Sequence, residues 1–229
     1  MCSAIADPAR TENDGTSLLD RIVTEPVRVV ETRADREIAL FGSEHRAIAG
    51  AVPRRRAEFG TVRWCARAAL DELGIAAVPI LPGERGAPIW PDGVVGAMTH
   101  CTGYRAAALA RASDVAALGV DAEPNEPLPA GVLGIVASAE EAEALATLPR
   151  RGIAWDRVLF SAKESVYKAW FPLARRWLGF EDAVVAVHPD GCFTAAVDPR
   201  LAVGVSPDRY DGRWFAGSEL VVTAVTVPT

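Results

Sequence analysis

The stretch IAWDRVLFSAKESVYKAWFPLARRWLGF, residues 153–180, limits the fold more than any other part of the chain. Its apolar residues recur at helical spacing, yet Val158, Leu159, Val166, Tyr167, Trp170 and Phe171 cover much of the circumference of the helix they predict. A helix apolar over most of its surface is a buried one, so this segment needs packing partners on more than one side. Phe160, Glu164 and Lys168 fall at i, i+4 and i+8 on one face, and Lys163 lies beside Glu164 near that face's edge. An exposed Glu–Lys pair is common and weak. A buried Lys–Glu–Lys group needs charged partners, such as a metal and phosphates.

A second stretch, LGVDAEP at residues 118–124, is an apolar run that ends on two carboxylates. In a strand, residues i and i+2 point the same way, so Asp121 and Glu123 share one face and Ala122 takes the other. Either the strand simply ends at Pro124 with both acids solvated, or a cation sits between them. Hard oxygen donors of this kind favour Mg²⁺, or Mn²⁺ in its place.

The remaining segments alternate in character. GSEHRAIAGAV reads as a helix with Ser43 as its N-cap, and RRRAEFGTVRWCARAALDELG as a longer helix ending at Gly74. Arg56, Arg63 and Arg67 form a basic stripe on the longer one, with Arg55 at its edge; a solvated basic face is the common outcome for such a run. LPGERGAPIWPDG is a turn-rich loop that carries Arg85. VVGAMTH, YRAAALAR and VAALGVDAE read as three strands of a small antiparallel meander. His100 closes the first of them beside Thr99, whose hydroxyl or backbone N–H suits a phosphate. His100 and Cys101 are strand neighbours facing opposite ways, which sets aside a nucleophilic dyad. SAEEAEALATLP is a short helix capped by Ser138 with Glu141 three residues on. DAVVAVHPDGCFTAAVD and RWFAGSELVVTAVTV each read as a hairpin. The order is helix-rich then strand-rich, twice. It predicts an α+β (α/β) fold of two similar halves, residues 1–116 and 117–229, meeting near the double acid, where a ligand cleft is expected.

With 229 residues the chain can bury a substantial core. Its net charge of −6 disfavours non-specific attraction to nucleic acid. No reader motif accompanies the arginine helix, which disfavours DNA binding further. Cys2, Cys65, Cys101 and Cys192 are scattered with no CxxC pair, which argues against structural zinc and a disulfide framework and for a reducing cytoplasm. The first fifteen or so residues are polar, expected to be loose, and lack a secretory signal. No uncharged run is long enough for a bilayer.

Together, GVDAE and FSAKESVYKAW resemble the paired signatures of the 4′-phosphopantetheinyl transferases of the surfactin-synthetase and enterobactin type. RRRAEFGTVRWCARAALDELG, ILPGERGAPIWPDG and GAMTHCTGYRAAALA resemble that family's coenzyme A-binding segments, in the family's order. AWFPLARRWLGFEDA is similar to actinobacterial members that serve polyketide and fatty-acid carrier proteins. The likeness covers roughly residues 45–190.

This resemblance implies transfer of the phosphopantetheine arm of coenzyme A to a serine of an apo acyl or peptidyl carrier protein, releasing adenosine 3′,5′-bisphosphate. It implies a pseudo-twofold monomer with coenzyme A in the cleft between its halves. Asp121, Glu123 and Glu164 would hold Mg²⁺, or Mn²⁺, and Glu164 would also deprotonate the carrier serine. Lys163 and Lys168 would bind the diphosphate and act in catalysis, Thr99 would touch the diphosphate, and Arg55, Arg63 and His100 would grip the 3′-phosphate with Arg85 nearby. Arg175 and Arg176 are docking candidates for an acidic carrier helix. Two rival readings carry the same residues: another Mg²⁺-dependent phosphoryl-transfer enzyme, and a non-catalytic coenzyme A-binding protein.

Overall fold

A computed structural model describes residues 17–202 and 206–229; the polar N-terminal stretch expected to be loose lies largely outside the described residues. The elements run β1 (Arg28–Thr32), α1 (Gly42–Ala47), α2 (Pro53–Glu72), β2 (Val94–Cys101), β3 (Tyr104–Arg111), β4 (Val115–Pro124), α3 (Leu133–Val136), α4 (Ala139–Ala146), α5 (Trp155–Ala174), β5 (Ala183–Val187), β6 (Cys192–Val197), β7 (Arg209–Ala216) and β8 (Leu220–Pro228). They form an α+β fold with two antiparallel sheets, ordered β1-β3-β2 and β4-β8-β7-β6-β5. Among the described residues no helix is long and apolar enough to cross a membrane.

Local chemistry sets most boundaries as the spacing predicts. Pro53 opens α2, where its missing N–H leaves nothing unsatisfied. Past the end of α2, Gly74 sits at φ +72°, and Ile75 N donates to Leu70 O at 2.8 Å. Ser138 Oγ accepts from Glu141 N while Ser138 N donates to the Glu141 carboxylate, a reciprocal cap on α4. Both hairpins form, β5 with β6 and β7 with β8. α1 differs from expectation: it starts at Gly42, and Glu44 rather than Ser43 secures its entry by accepting from Phe41 N at 3.0 Å.

The three-strand meander is corrected. β2 and β3 pair as a hairpin, but β3 takes β1 on its other side and β4 leaves to pair with β8. The reason lies in what each face must cover. β3 is buried over seven consecutive residues: Ala107 and Leu109 pack under α2, while Ala106, Ala108 and Ala110 face the other sheet. β4 likewise turns Leu118, Val120 and Ala122 to that shared core, and packs its other face on α5. The result is a helix–sheet–sheet–helix sandwich, with a 20-residue helix outside each sheet. β2 and β4 lie against each other where the sheets meet.

Cys65 and Cys101 are free thiols.

Candidate active site

Strand alternation carries Asp121 and Glu123 to the α5 side of β4, with Ala122 sealed in the core between the sheets. α5 can approach closely because residue 119 is glycine: a Cβ there would stand 1.9 Å from Ser165 O and 2.8 Å from Ala169 N. On α5, Arg157, Ser161, Glu164 and Lys168 lie within one narrow stripe at 100° per residue, and this stripe faces the acids.

Asp121 is 6% exposed and fully engaged. Its Oδ1 accepts from Lys168 Nζ at 2.8 Å and Thr99 Oγ1 at 3.2 Å, and its Oδ2 accepts from Ser161 Oγ at 2.8 Å. Thr223 on β8 donates to Ser161 O at 2.8 Å and steadies that turn of α5. Lys168 Nζ also donates to Val120 O at 3.0 Å. Two of its three ammonium protons are thereby placed, and one remains. Thr99 accepts from Ala122 N at 3.0 Å, so its hydroxyl ties β2 to β4.

Glu123 accepts from Arg157 Nη1 at 3.0 Å. Glu164 is half-buried and has neither a hydrogen bond nor an ion pair among the described residues. Burial first, and the Asp121 charge second, push the Glu123 carboxyl up to about 7, and the same two causes raise Glu164. Both glutamates therefore feel the Asp121 charge.

As they stand, no three His, Cys, Asp or Glu side chains among the described residues converge to hold a metal ion. Lys168 and Arg157 occupy two of the three carboxylates. The donor chemistry fits a divalent cation all the same: three carboxylates partly withdrawn from water, two of them raised by the charge of the third, and Glu164 without a partner among the described residues.

Across the junction of the two sheets, a cleft of about 540 Å³ is lined by Arg54, Arg55, Glu58, His100, Glu123 and Arg157, among others. Arg55 Nη1 lies 2.8 Å from His100 Nε2. Burial, then the Arg55 charge, holds the His100 imidazole below its ordinary value, so the neutral ring accepts from the guanidinium. An anion entering there would reverse that balance. Glu58, close to Arg54, Arg55 and Arg105, offsets part of the positive charge. Cys101, beside the acids, has its thiol pushed up to about 12 by burial and by Glu123 and Asp121, so it stays protonated. A larger cavity of about 790 Å³ opens on the opposite face of α2, around Ile38, Ile48 and Arg56, and is lined by none of these site residues.

Three expected site residues, Lys163, Arg63 and Arg85, are not among those that line this cleft. Lys163 sits about 100° around α5 from Glu164 and is buried; its Nζ donates to Glu141 Oε2 and to Phe180 O, both at 2.8 Å. Glu141 also accepts from Val185 N at 2.7 Å, so the pair anchors α4 and β5 to α5 instead of facing the cleft. Arg63 is 5% exposed, donates to Ile80 O at 2.7 Å and packs on the Phe59 ring. Buried Glu44 answers its charge and that of Arg67, and burial lowers the Arg63 guanidinium to about 10. Arg85, at φ +52°, lies over the Trp177 ring, and its charge is felt by Tyr167. Arg157, Ser161 and Thr223 are the partners that sequence reasoning missed. Their stripe with Glu164 and Lys168 was visible for the first two; Thr223 gave no local signal.

Removing Lys163 should therefore act through folding. Lys163→Ala leaves Glu141 buried and unpaired and is expected to cost about 3–5 kcal/mol in urea unfolding. Lys163→Met combined with Glu141→Leu should recover most of it. A Lys163→Ala variant of unchanged stability would contradict the anchor.

Residues 43–110 match the model of the 4′-phosphopantetheinyl transferase N-terminal domain, and residues 117–224 that of the 4′-phosphopantetheinyl transferase superfamily. The chain is 57% identical to 4′-phosphopantetheinyl transferase Svp of Streptomyces mobaraensis, over 82% of this chain and 78% of that protein. It is 44% identical to 4′-phosphopantetheinyl transferase PptT of Mycobacterium tuberculosis, over 92% and 96%. A more distant relative, enterobactin synthase component D of Salmonella typhi, is 28% identical over 83% and 80%. With family models that together cover most of the chain and relatives of this identity over most of its length, the chain belongs to the 4′-phosphopantetheinyl transferase superfamily and is a transferase of that type.

Proposed function

We propose that this transferase moves the 4′-phosphopantetheine arm of coenzyme A onto a serine of an apo acyl or peptidyl carrier protein, using a divalent cation, Mg²⁺ or Mn²⁺ in its place. The observation that supports this reading is Glu164: a half-buried carboxylate that has no donor among the described residues and feels the charges of Asp121 and Lys168.

The serine hydroxyl attacks the phosphorus that bears the pantetheine. The new P–O bond forms as the bond to the bridging oxygen breaks, and adenosine 3′,5′-bisphosphate leaves with that oxygen. Glu164 accepts the hydroxyl proton. The remaining ammonium proton of Lys168 meets a diphosphate oxygen and stabilises charge on the leaving group. Arg55, with His100, takes the 3′-phosphate through its planar fork. Asp121, Glu123 and Glu164 would hold the cation, which supplies charge neutralisation at the diphosphate. Thr99 contributes indirectly, by fixing Asp121. In this reading residues 1–116 carry the coenzyme A 3′-phosphate side and residues 117–229 the acids and the catalytic helix. The chain acts as a monomer in the cytoplasm, and exposed Arg175 and Arg176 flank the approach of an acidic carrier helix.

Intact-protein mass spectrometry tests the proposal. An apo carrier protein incubated with the chain, coenzyme A and Mg²⁺ should gain the mass of one phosphopantetheine, and EDTA should abolish the gain. No gain across acyl and peptidyl carriers, with coenzyme A still bound, would leave a non-catalytic binder; hydrolysis of coenzyme A without a protein acceptor would leave a different phosphoryl enzyme.

A further inference from the structure

Arg157 has no assigned part in the transfer, yet it is among the most constrained cations of the site. Its side chain is 14% exposed, and it bonds Glu123 Oε2 at 3.0 Å. Two further donors are fixed on backbone: Nε to Glu126 O at 3.0 Å and Nη2 to Pro127 O at 3.2 Å. Those carbonyls follow directly on the acid-bearing strand, so the guanidinium cannot swing away from Glu123 without abandoning both. Lys168 plays the same electrostatic part for Asp121 from a flexible stem. The acid group thus carries two resident positive charges, one of them rigidly placed.

We propose that Arg157 is a positioning residue that holds Glu123 in place and, as a fixed counter-charge, sets how tightly the acids take a divalent cation. This rests on the three-acid reading above. A permanent positive charge beside the ligands repels an incoming ion. The protein alone then binds the ion weakly, and the coenzyme A diphosphate, by adding negative charge, completes the site. Ion and coenzyme enter together, each raising the affinity for the other.

The sign of this effect separates it from a structural role. Isothermal titration of Mg²⁺ into the full chain without coenzyme A, at pH 8.5, should show Arg157→Gln binding the ion roughly ten-fold tighter than wild type. Arg157→Lys keeps the charge and should return the affinity to the wild-type value. The boost that coenzyme A gives to Mg²⁺ affinity should shrink in Arg157→Gln by the same factor. Arg157→Met removes the same charge if the glutamine variant does not fold. If Arg157 only ties down the chain at residues 126–127, the neutral variants will lose thermal stability while their Mg²⁺ affinity stays level or weakens, and the proposal is overturned. A wild-type chain that takes up no Mg²⁺, with or without coenzyme A, would overturn the three-acid reading and this inference together. Wild-type binding with no tightening in the variants would overturn this inference alone.

Discussion

Glu164→Gln is expected to lower carrier modification by about 10²–10⁴-fold, the range for losing a positioned general base, while the protein stays folded. Both halves of that expectation come from the same surroundings. Among the described residues Glu164 holds no hydrogen bond that glutamine would break, and burial beside Asp121 already disfavours its charge. Neutralising it removes a repulsion, so the melting temperature should hold or rise. Single-turnover transfer followed by mass spectrometry, with thermal unfolding run in parallel, checks both. Near-normal transfer in a folded variant would remove Glu164 from the mechanism. The opposite pattern, a fall in stability, would mean that its carboxylate is a structural ligand instead.

The second large effect is at Gly119, where β4 and α5 touch backbone to backbone. Gly119→Ala places a Cβ 1.9 Å from Ser165 O and 2.8 Å from Ala169 N. Neither atom belongs to a side chain that could rotate aside. α5 must lift from the sheet, which pulls Ser161 and Lys168 away from Asp121. Overpacking a tight core typically costs about 1–3 kcal/mol; with two main-chain atoms in the way we expect the top of that range or beyond, and transfer lost with it. Gly134→Ala is the control, because a Cβ there meets nothing within 4 Å. Equilibrium unfolding of both variants decides the matter: wild-type stability in Gly119→Ala would mean that α5 does not sit on β4 as described.

The two predictions concern one device. Ser161 and Lys168 serve Asp121, and Glu164 stands within reach of its charge, because α5 lies close enough to β4 for Asp121 to meet Ser161 and Lys168 at 2.8 Å each. Glycine at 119 permits that approach. A longer gap would leave Asp121 buried with Thr99 as its one remaining donor among those described here, at a cost in stability or a change of protonation.

Much of this was determined by the sequence alone. Period-2 alternation put Asp121 and Glu123 on one face, Gly74 marked the end of α2, turn residues marked both hairpins, and the Ser138–Glu141 spacing specified a cap; all of these are short-range chemistry that neighbours cannot easily override. The paired motifs likewise pointed to the transferase family. What the tertiary structure decided is which long-range partner each charge meets. α5 is apolar over most of its circumference, so its pattern could not say which polar face turns to β4 and which to Glu141; Lys163, 22 residues from its partner, went to the latter. β4 was free to join either sheet, and the demand that both its faces be covered sent it to β8. Arg63 belonged to a basic stripe that reads as solvated or ligand-binding until buried Glu44, from another helix, neutralises it. Burial makes such charges seek partners wherever the chain brings them, and sequence separation carries no record of that choice.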